Sequence, residues 1–272
     1  MHDRFGTQQA SVGDMTGYGA DPPQVGDRLR GVAAGGAVLV AQPQAFGQGG
    51  HIGAGHGTVT LALVGTLASS RLTARLSRLC RAHPGLDLRL RTALSAEVSA
   101  LVLRGDAALG LRYGTDPDPG LLSVIIGHER LVPVCPPGHP LAADGTDAAA
   151  LAGQRWLAFP SRPGAPGDPY AAALQQLLAA HGLGAAEILP IDSLTAQKRM
   201  AEAGFGLAIL PESSLDEELR TGTLCAIDAP ALTATIPVAL IRRRNAFQTG
   251  AARALAAVLT DWPHNPAAQA HH

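Results

Sequence analysis

Aromatic residues are scarce in this 272-residue chain, at 4%, and charged residues make up only 16%. Lysine and arginine (21) nearly balance aspartate and glutamate (22), so the formal net charge is −1. Without a basic field the chain has no global electrostatic hold on nucleic acid. Cysteine is sparse too. Cys80, Cys135 and Cys225 are odd in number and far apart, and neither a CxxC pair nor a Cys/His set at zinc spacing occurs. This usage fits a reducing compartment and leaves no metal or cofactor to expect. His264, His271 and His272 fall in a C-terminal stretch (263–272) that reads as a frayed tail rather than a metal site. Long apolar runs are also missing, so no membrane span is expected.

What the chain does have is apolar mass. A 46% hydrophobic share over this length builds one large α/β domain or two small ones, with ample core. Residues 1–56 stand apart. They are rich in Gly, Gln and Ala, and "GQGGHIGAGHG" reads as a flexible linker. Its "GAGHG" lacks the preceding strand and following helix of a dinucleotide fingerprint. "RLRGVAAGGAVLVAQPQAFG" (28–47) imitates a signal peptide, but it starts late and its apolar run is short and Gly-rich. A cytoplasmic location is therefore expected.

From Thr58 the pattern turns regular. "TVTLALV" (58–64) reads as a strand, and Leu72, Leu76 and Leu79 fall at i, i+4 and i+7 of an amphipathic helix stopped by Pro84 and Gly85. "LDLRLRTA" (86–93) alternates like a half-buried strand. "SAEVSALVLRG" (95–105) is a helix opened by Ser95 and closed by Gly105. "AALGLRYG" (107–114) is strand-like, and so are "LLSVIIG" (121–127) and "RLVPVCP" (130–136). A second unit follows, alternating from "RWLAFP" through "GLAILP", before a closing strand "TIPVALIRR" and helix "FQTGAARALAAVLTDW". Strand–helix alternation implies right-handed crossovers and a mostly parallel sheet in each of two lobes.

Thr66, Ser69 and Ser70 sit where the first strand passes into the first helix. Hydroxyls there can be a nucleophile, a ligand cradle or a plain cap. A nucleophile needs a base in reach and a tight Gly-x-Ser-x-Gly turn, which "GTLASS" lacks. His83 lies at the far end of the same helix, roughly 20 Å away at 1.5 Å per residue. No enzyme activity is expected and no residue is assigned as catalytic. A helix N-terminus leaves free N–H groups and partial positive charge, so it can receive an anion or simply be capped.

Four stretches carry a resemblance: "GTVTLALVGTLASSRLTARLSRLCRAHPGLDLRL", "LVLRGDAALGLRYG", "ERLVPVCPPGHPLA" and "DSLTAQKRMAEAGFGLAILPESSLDEEL". Their order and spacing resemble the effector-binding domain of LysR-type transcriptional regulators over roughly residues 57–262. The resemblance implies two Rossmann-like α/β lobes joined by two crossover strands, a type 2 periplasmic-binding-protein-like fold. Lobe I would comprise 57–131 and 236–262, and lobe II 132–235. A small organic anion would bind between the lobes and act on transcription through a homodimer or homotetramer. The family's N-terminal winged helix-turn-helix has no counterpart in residues 1–56. DNA contact is therefore expected only where a native full-length chain supplies that element. The alternative is a periplasmic-type solute-binding protein for a small carboxylate, supported by the 28–47 segment alone.

By this resemblance Thr66, Leu67, Ala68 and Ser69 occupy effector-binding positions. Ser95, Ser161, Ser193 and Leu194 open the equivalent turns at strand ends, where open α/β sheets bind ligands; each is equally a structural cap. Arg112 ends the third strand and either grips an effector carboxylate or faces solvent. Phe205 either walls the pocket or packs in the second lobe. The stripe Arg71, Arg75 and Arg78 is either a solvated face or, by the resemblance, part of a dimer interface. There it would meet Asp216, Glu217 and Glu218 of a second copy.

Overall fold

The computed structural model describes residues 56–142, 148–151, 153–160 and 169–260. Ser161, the tail histidines and the 28–47 segment lie outside these. Strand β1 (His56–Val64) runs parallel to β2 (Gly85–Ala93) and to β3 (Leu109–Tyr113). Helices α1 (Ser70–Ala82) and α2 (Ser95–Arg104) make the crossovers. Leu72, Leu76 and Leu79 of α1 are all buried, as their spacing requires. Each such leucine contributes about 2 kcal/mol on leaving water. Helix α2 ends at Gly105, whose φ of 82° is the left-handed cap that glycine adopts without a Cβ clash. Gly110 of β3 lets α2 approach the sheet closely. A Cβ there would stand 2.8 Å from Val98 Cγ1 and 2.7 Å from Ile241 Cγ1.

Strand β4 (Leu121–Cys135) is one continuous strand where the sequence suggests two. Its pairing register shifts between Ile125 and Gly127. Such an irregularity bends a strand without ending it, so the apolar pattern breaks while the strand continues. The chain then forms α3 (Ala148–Leu151), β5 (Trp156–Ala158), α4 (Pro169–Ala180), β6 (Ile188–Pro190), α5 (Leu194–Glu202) and β7 (Leu207–Pro211). After these come α6 (Asp216–Thr221), β8 (Cys225–Ala226), β9 (Ala234–Arg243) and α7 (Gly250–Thr260).

Among the described residues the sheet order is β2-β1-β3-β9-β4-β7-β5-β6, with β8 beside β4. The outer strands are parallel, as expected. The middle is antiparallel, because β9 pairs with both β3 and β4 while β7 runs against β4. The two long strands β4 and β9 thus join a β1-β2-β3 half to a β5-β6-β7 half. At Leu131 strand β4 gains β7 as a partner, and from Val132 on it no longer pairs with β9. Strand β9 and helix α7 return to the first half, where α7 packs on α1 and β1. This is the two-lobe, type 2 periplasmic-binding-protein-like architecture.

Strand β2 differs from the half-buried strand expected. It is an edge strand, and only Leu86 on it is buried; Leu90 is 50% exposed. The main core runs under α1, α2, α4 and α7, and a smaller cluster around Val132, Leu157, Leu210 and Leu215 supports α5 and α6. Two cysteines far apart in sequence, Cys135 and Cys225, are direct partners across β4 and β8. Both are free thiols, and burial together with the neighbouring Cys225 pushes Cys135 up to about 11. No helix among the described residues is long and apolar enough to cross a membrane.

Candidate ligand-binding cleft

The C-terminal ends of β1 and β5 open onto a common cleft of about 720 Å³ between the two halves. Its first-half wall is the turn from β1 into α1. Val64 leaves the sheet, Gly65–Leu67 make one tight 3-10 turn, and Ser69 caps α1 by accepting from the Leu72 amide at 3.4 Å. Thr66, Ala68, Ser69 and Ser70 line the cleft. The buried Thr66 hydroxyl is 2.9 Å from Tyr113 Oη, at the end of β3.

The opposite wall is built in the same way. Ser193 caps α5 by accepting from the Ala196 amide at 3.3 Å, and Asp192, Ser193 and Leu194 face the cleft. Two helix N-termini from different halves therefore look into one cavity. Each presents unsatisfied N–H groups and the positive end of a helix dipole. Phe159 and Tyr170 form part of the lining. Their rings meet edge-on at 5.4 Å, Tyr170 stacks on Tyr113 at 5.6 Å, and Tyr170 Oη donates to the Ile209 carbonyl at 2.9 Å.

The turn after β7 closes the second wall. Lys198 Nζ pairs with Glu218 Oε1 at 2.7 Å and donates to the Ser214 carbonyl at 3.0 Å. Glu129 on β4 accepts from the Ser213 amide and hydroxyl, at 3.2 and 2.8 Å. Burial holds the Glu129 carboxyl above its ordinary range. The bonds from Ser213 and the charge of Arg71 offset this in part, while the charge of Glu212 adds to it. Across the mouth, Ser70 Oγ donates to Asp216 Oδ2 at 2.7 Å and Arg71 Nη2 stands 3.9 Å from Asp216 Oδ1.

Several expected residues lie elsewhere. Leu67 is fully buried beneath the turn, and Ser95 is buried at the start of α2; neither lines the cleft. Arg112 is turned into the first half. Its Nη1 donates to Ser99 Oγ at 2.8 Å and ion-pairs with Asp116, four residues on. A cation that is only 8% exposed needs such a partner. Burial works against the Asp116 carboxylate, but hydrogen bonds from Ser99 and the Asp118 amide, with the Arg112 charge, hold its pKa below the usual aspartate value. Phe205 is half exposed on a separate shallow depression beside Arg155 and Glu187.

Of the arginine stripe, Arg71 stands beside Asp216 of its own chain. Arg75 donates to the Val258 carbonyl at 3.3 Å, and Arg75 and Arg78 line a groove between α1 and α7. Asp216, Glu217 and Glu218 line the cleft, and Glu218 is buried against Lys198. Phe159, Tyr170, Lys198 and the 213–214 turn also line the cleft without having been expected there from the sequence. Phe159 was findable, since it follows directly on a strand's C-terminal end.

These features define a class: a two-lobed α/β module with a small-molecule cleft between its lobes. The chain belongs to the LysR substrate binding domain family, whose family model matches residues 53–263. It is similar to the phosphonates import ATP-binding protein PhnC of Anaeromyxobacter dehalogenans, at 27% identity over 73% of this chain and 39% of that protein. It is also similar to the uncharacterized HTH-type transcriptional regulator Mb2303c of Mycobacterium bovis, at 32% identity over 52% of this chain and 46% of that protein. The chain thus spans less than half the length of both. Among solved structures, the effector-binding domain of QuiR in complex with shikimate shares the fold, with a TM-score of 0.63 and 16% identity over 75% of this chain and 96% of that one.

Proposed function

We propose that this chain is the ligand-sensing domain of a LysR-type transcriptional regulator, and that a small organic anion binds in the inter-lobe cleft. The observation carrying this is the pair of capped helix N-termini, at Ser69 and Ser193, that face one cavity from opposite walls. An anionic group seated at the first turn of α1 would gain free backbone N–H donors and the Ser69 hydroxyl. The shikimate complex of QuiR, a solved neighbour, is consistent with a carboxylate effector. The family match and the regulator relative favour this reading over a transport receptor.

Binding would favour the closed arrangement of the lobes and pass through the oligomer to transcription, as a population shift. DNA contact would come from a helix-turn-helix of a full-length chain, and the protein would work in the cytoplasm. The α1–α7 face, with Arg75 and Arg78, is the proposed contact between copies. A thermal-shift screen of small carboxylates against the whole chain tests the cleft. At least one compound should raise the unfolding midpoint, and Thr66→Ala with Ser69→Ala should remove that rise. An equal rise in the double variant would place the ligand elsewhere, and no rise with any carboxylate, amino acids included, would reject a carboxylate effector.

A further inference from the structure

The two walls of the cleft differ in charge. On the α1 side the one charged lining residue among the described residues is Glu97, and its Oε2 already accepts from the Leu94 amide at 3.1 Å. The other polar groups of that wall are hydroxyls and a helix N-terminus, which favour an anion, set among the apolar Val64, Ala68, Ala93 and Leu94. On the α5 side the described lining carries Asp192, Asp216, Glu217 and Glu218 against the single Lys198. Asp216 is taken by Ser70 and Arg71. Asp192 and Glu217 have no ion pair among the described residues. Glu218 is 4% exposed, and while its Oε1 holds Lys198, its buried Oε2 has no hydrogen-bond partner among the described residues. A buried carboxylate oxygen left without a donor is costly. An ammonium group brings three donors and a positive charge.

Resting on the cleft as the effector site, we propose that the effector is a zwitterion of the amino-acid class. Its carboxylate would seat at the α1 N-terminus by Ser69, and its ammonium on the acidic wall of Asp192, Glu217 and Glu218. A plain carboxylate would satisfy the first wall and be repelled by the second. A zwitterion joins both walls, which is what a ligand that closes two lobes must do. Phe159 and Tyr170 beside the acidic wall offer an apolar surface for a side chain.

Matched sets of probes decide it: alanine with propionate and ethylamine, leucine with isocaproate and isoamylamine, phenylalanine with hydrocinnamate and phenethylamine. Each is titrated into the whole chain, with thermal shift and calorimetry as readouts. In at least one set the amino acid should bind, and both the deaminated acid and the decarboxylated amine should bind at least about tenfold more weakly, since a charge-assisted hydrogen bond is lost in each. Asp192→Asn with Glu217→Gln, both at exposed positions, should abolish the preference for the amino acid over its acid. If the acid binds as well as its amino acid, the zwitterion is overturned while the anion cleft stands. Equal binding by the amine overturns it as well. If no set binds, the amino-acid class is rejected, and the carboxylate screen above judges the cleft separately.

Discussion

At the scale of single residues, burial decides which charges serve structure and which can serve a ligand. Arg112 and Asp116 are a buried pair in the first lobe, 8% and 14% exposed at their side chains. Asp116→Asn leaves the guanidinium without its counter-charge and should cost about 3 kcal/mol in urea unfolding. Asp116 also has a folded pKa below its unfolded one. Its stabilisation is therefore present above the unfolded aspartate value and is lost as pH falls through the lower folded one. The Asn variant should lack that part of the acid-side decline. Glu129 has the opposite sign. Its folded pKa is raised, so its contribution is fully present below the ordinary glutamate value and is lost as pH rises through the folded one. Glu129→Gln should flatten stability across that window, read by unfolding at a series of pH values. Ser69→Ala removes the α1 cap and should cost about 1 kcal/mol without any ligand present. That baseline must be subtracted before loss of a ligand response is assigned to contact.

At the scale of elements, short-range signals were legible in the sequence and long-range ones were not. The spacing of Leu72, Leu76 and Leu79 sufficed for α1, because a helix face is set within a few residues, whereas the caps were not settled: Ser193, equally a cap or a ligand contact in the sequence, caps α5, and Ser95, read as the opening residue of α2, follows the N-cap Leu94. Leu76→Ala should cost about 3 kcal/mol, since the side chain is 5% exposed and its loss leaves a cavity under α1. Gly105→Ala should cost roughly 1 kcal/mol through its left-handed φ of 82°. Both are read by urea unfolding. The continuity of β4 was hidden because a register shift at Ile125–Gly127 interrupts the alternation. Arg112 looked like a ligand contact because a charge at a strand end is ambiguous until Asp116 is seen to fold back on it. Tyr113 on β3, Phe159 just after β5 and Tyr170 on α4 meet in space, and no local pattern brings them together.

At the scale of the molecule, two lobes share one sheet through β4 and β9, and the cleft lies where their strand ends face each other. The contact of Ser70 and Arg71 with Asp216 already spans the mouth. A ligand that adds bonds to both walls would hold that closure more tightly. The groove of Arg75, Arg78, Ala257 and Val258 points outward, on the α1–α7 side. If copies associate there, Arg75→Glu with Arg78→Glu should shift the mass seen by light scattering toward the monomer; an unchanged mass would move the interface elsewhere. On the proposed reading one ligand engages both walls of the cleft. Amide hydrogen exchange reads both walls at once, with whichever screened compound raises the unfolding midpoint furthest. Simultaneous protection of residues 65–72 and 193–198 is the expected result, whereas protection of one wall alone, or of the α1–α7 groove instead, would contradict it.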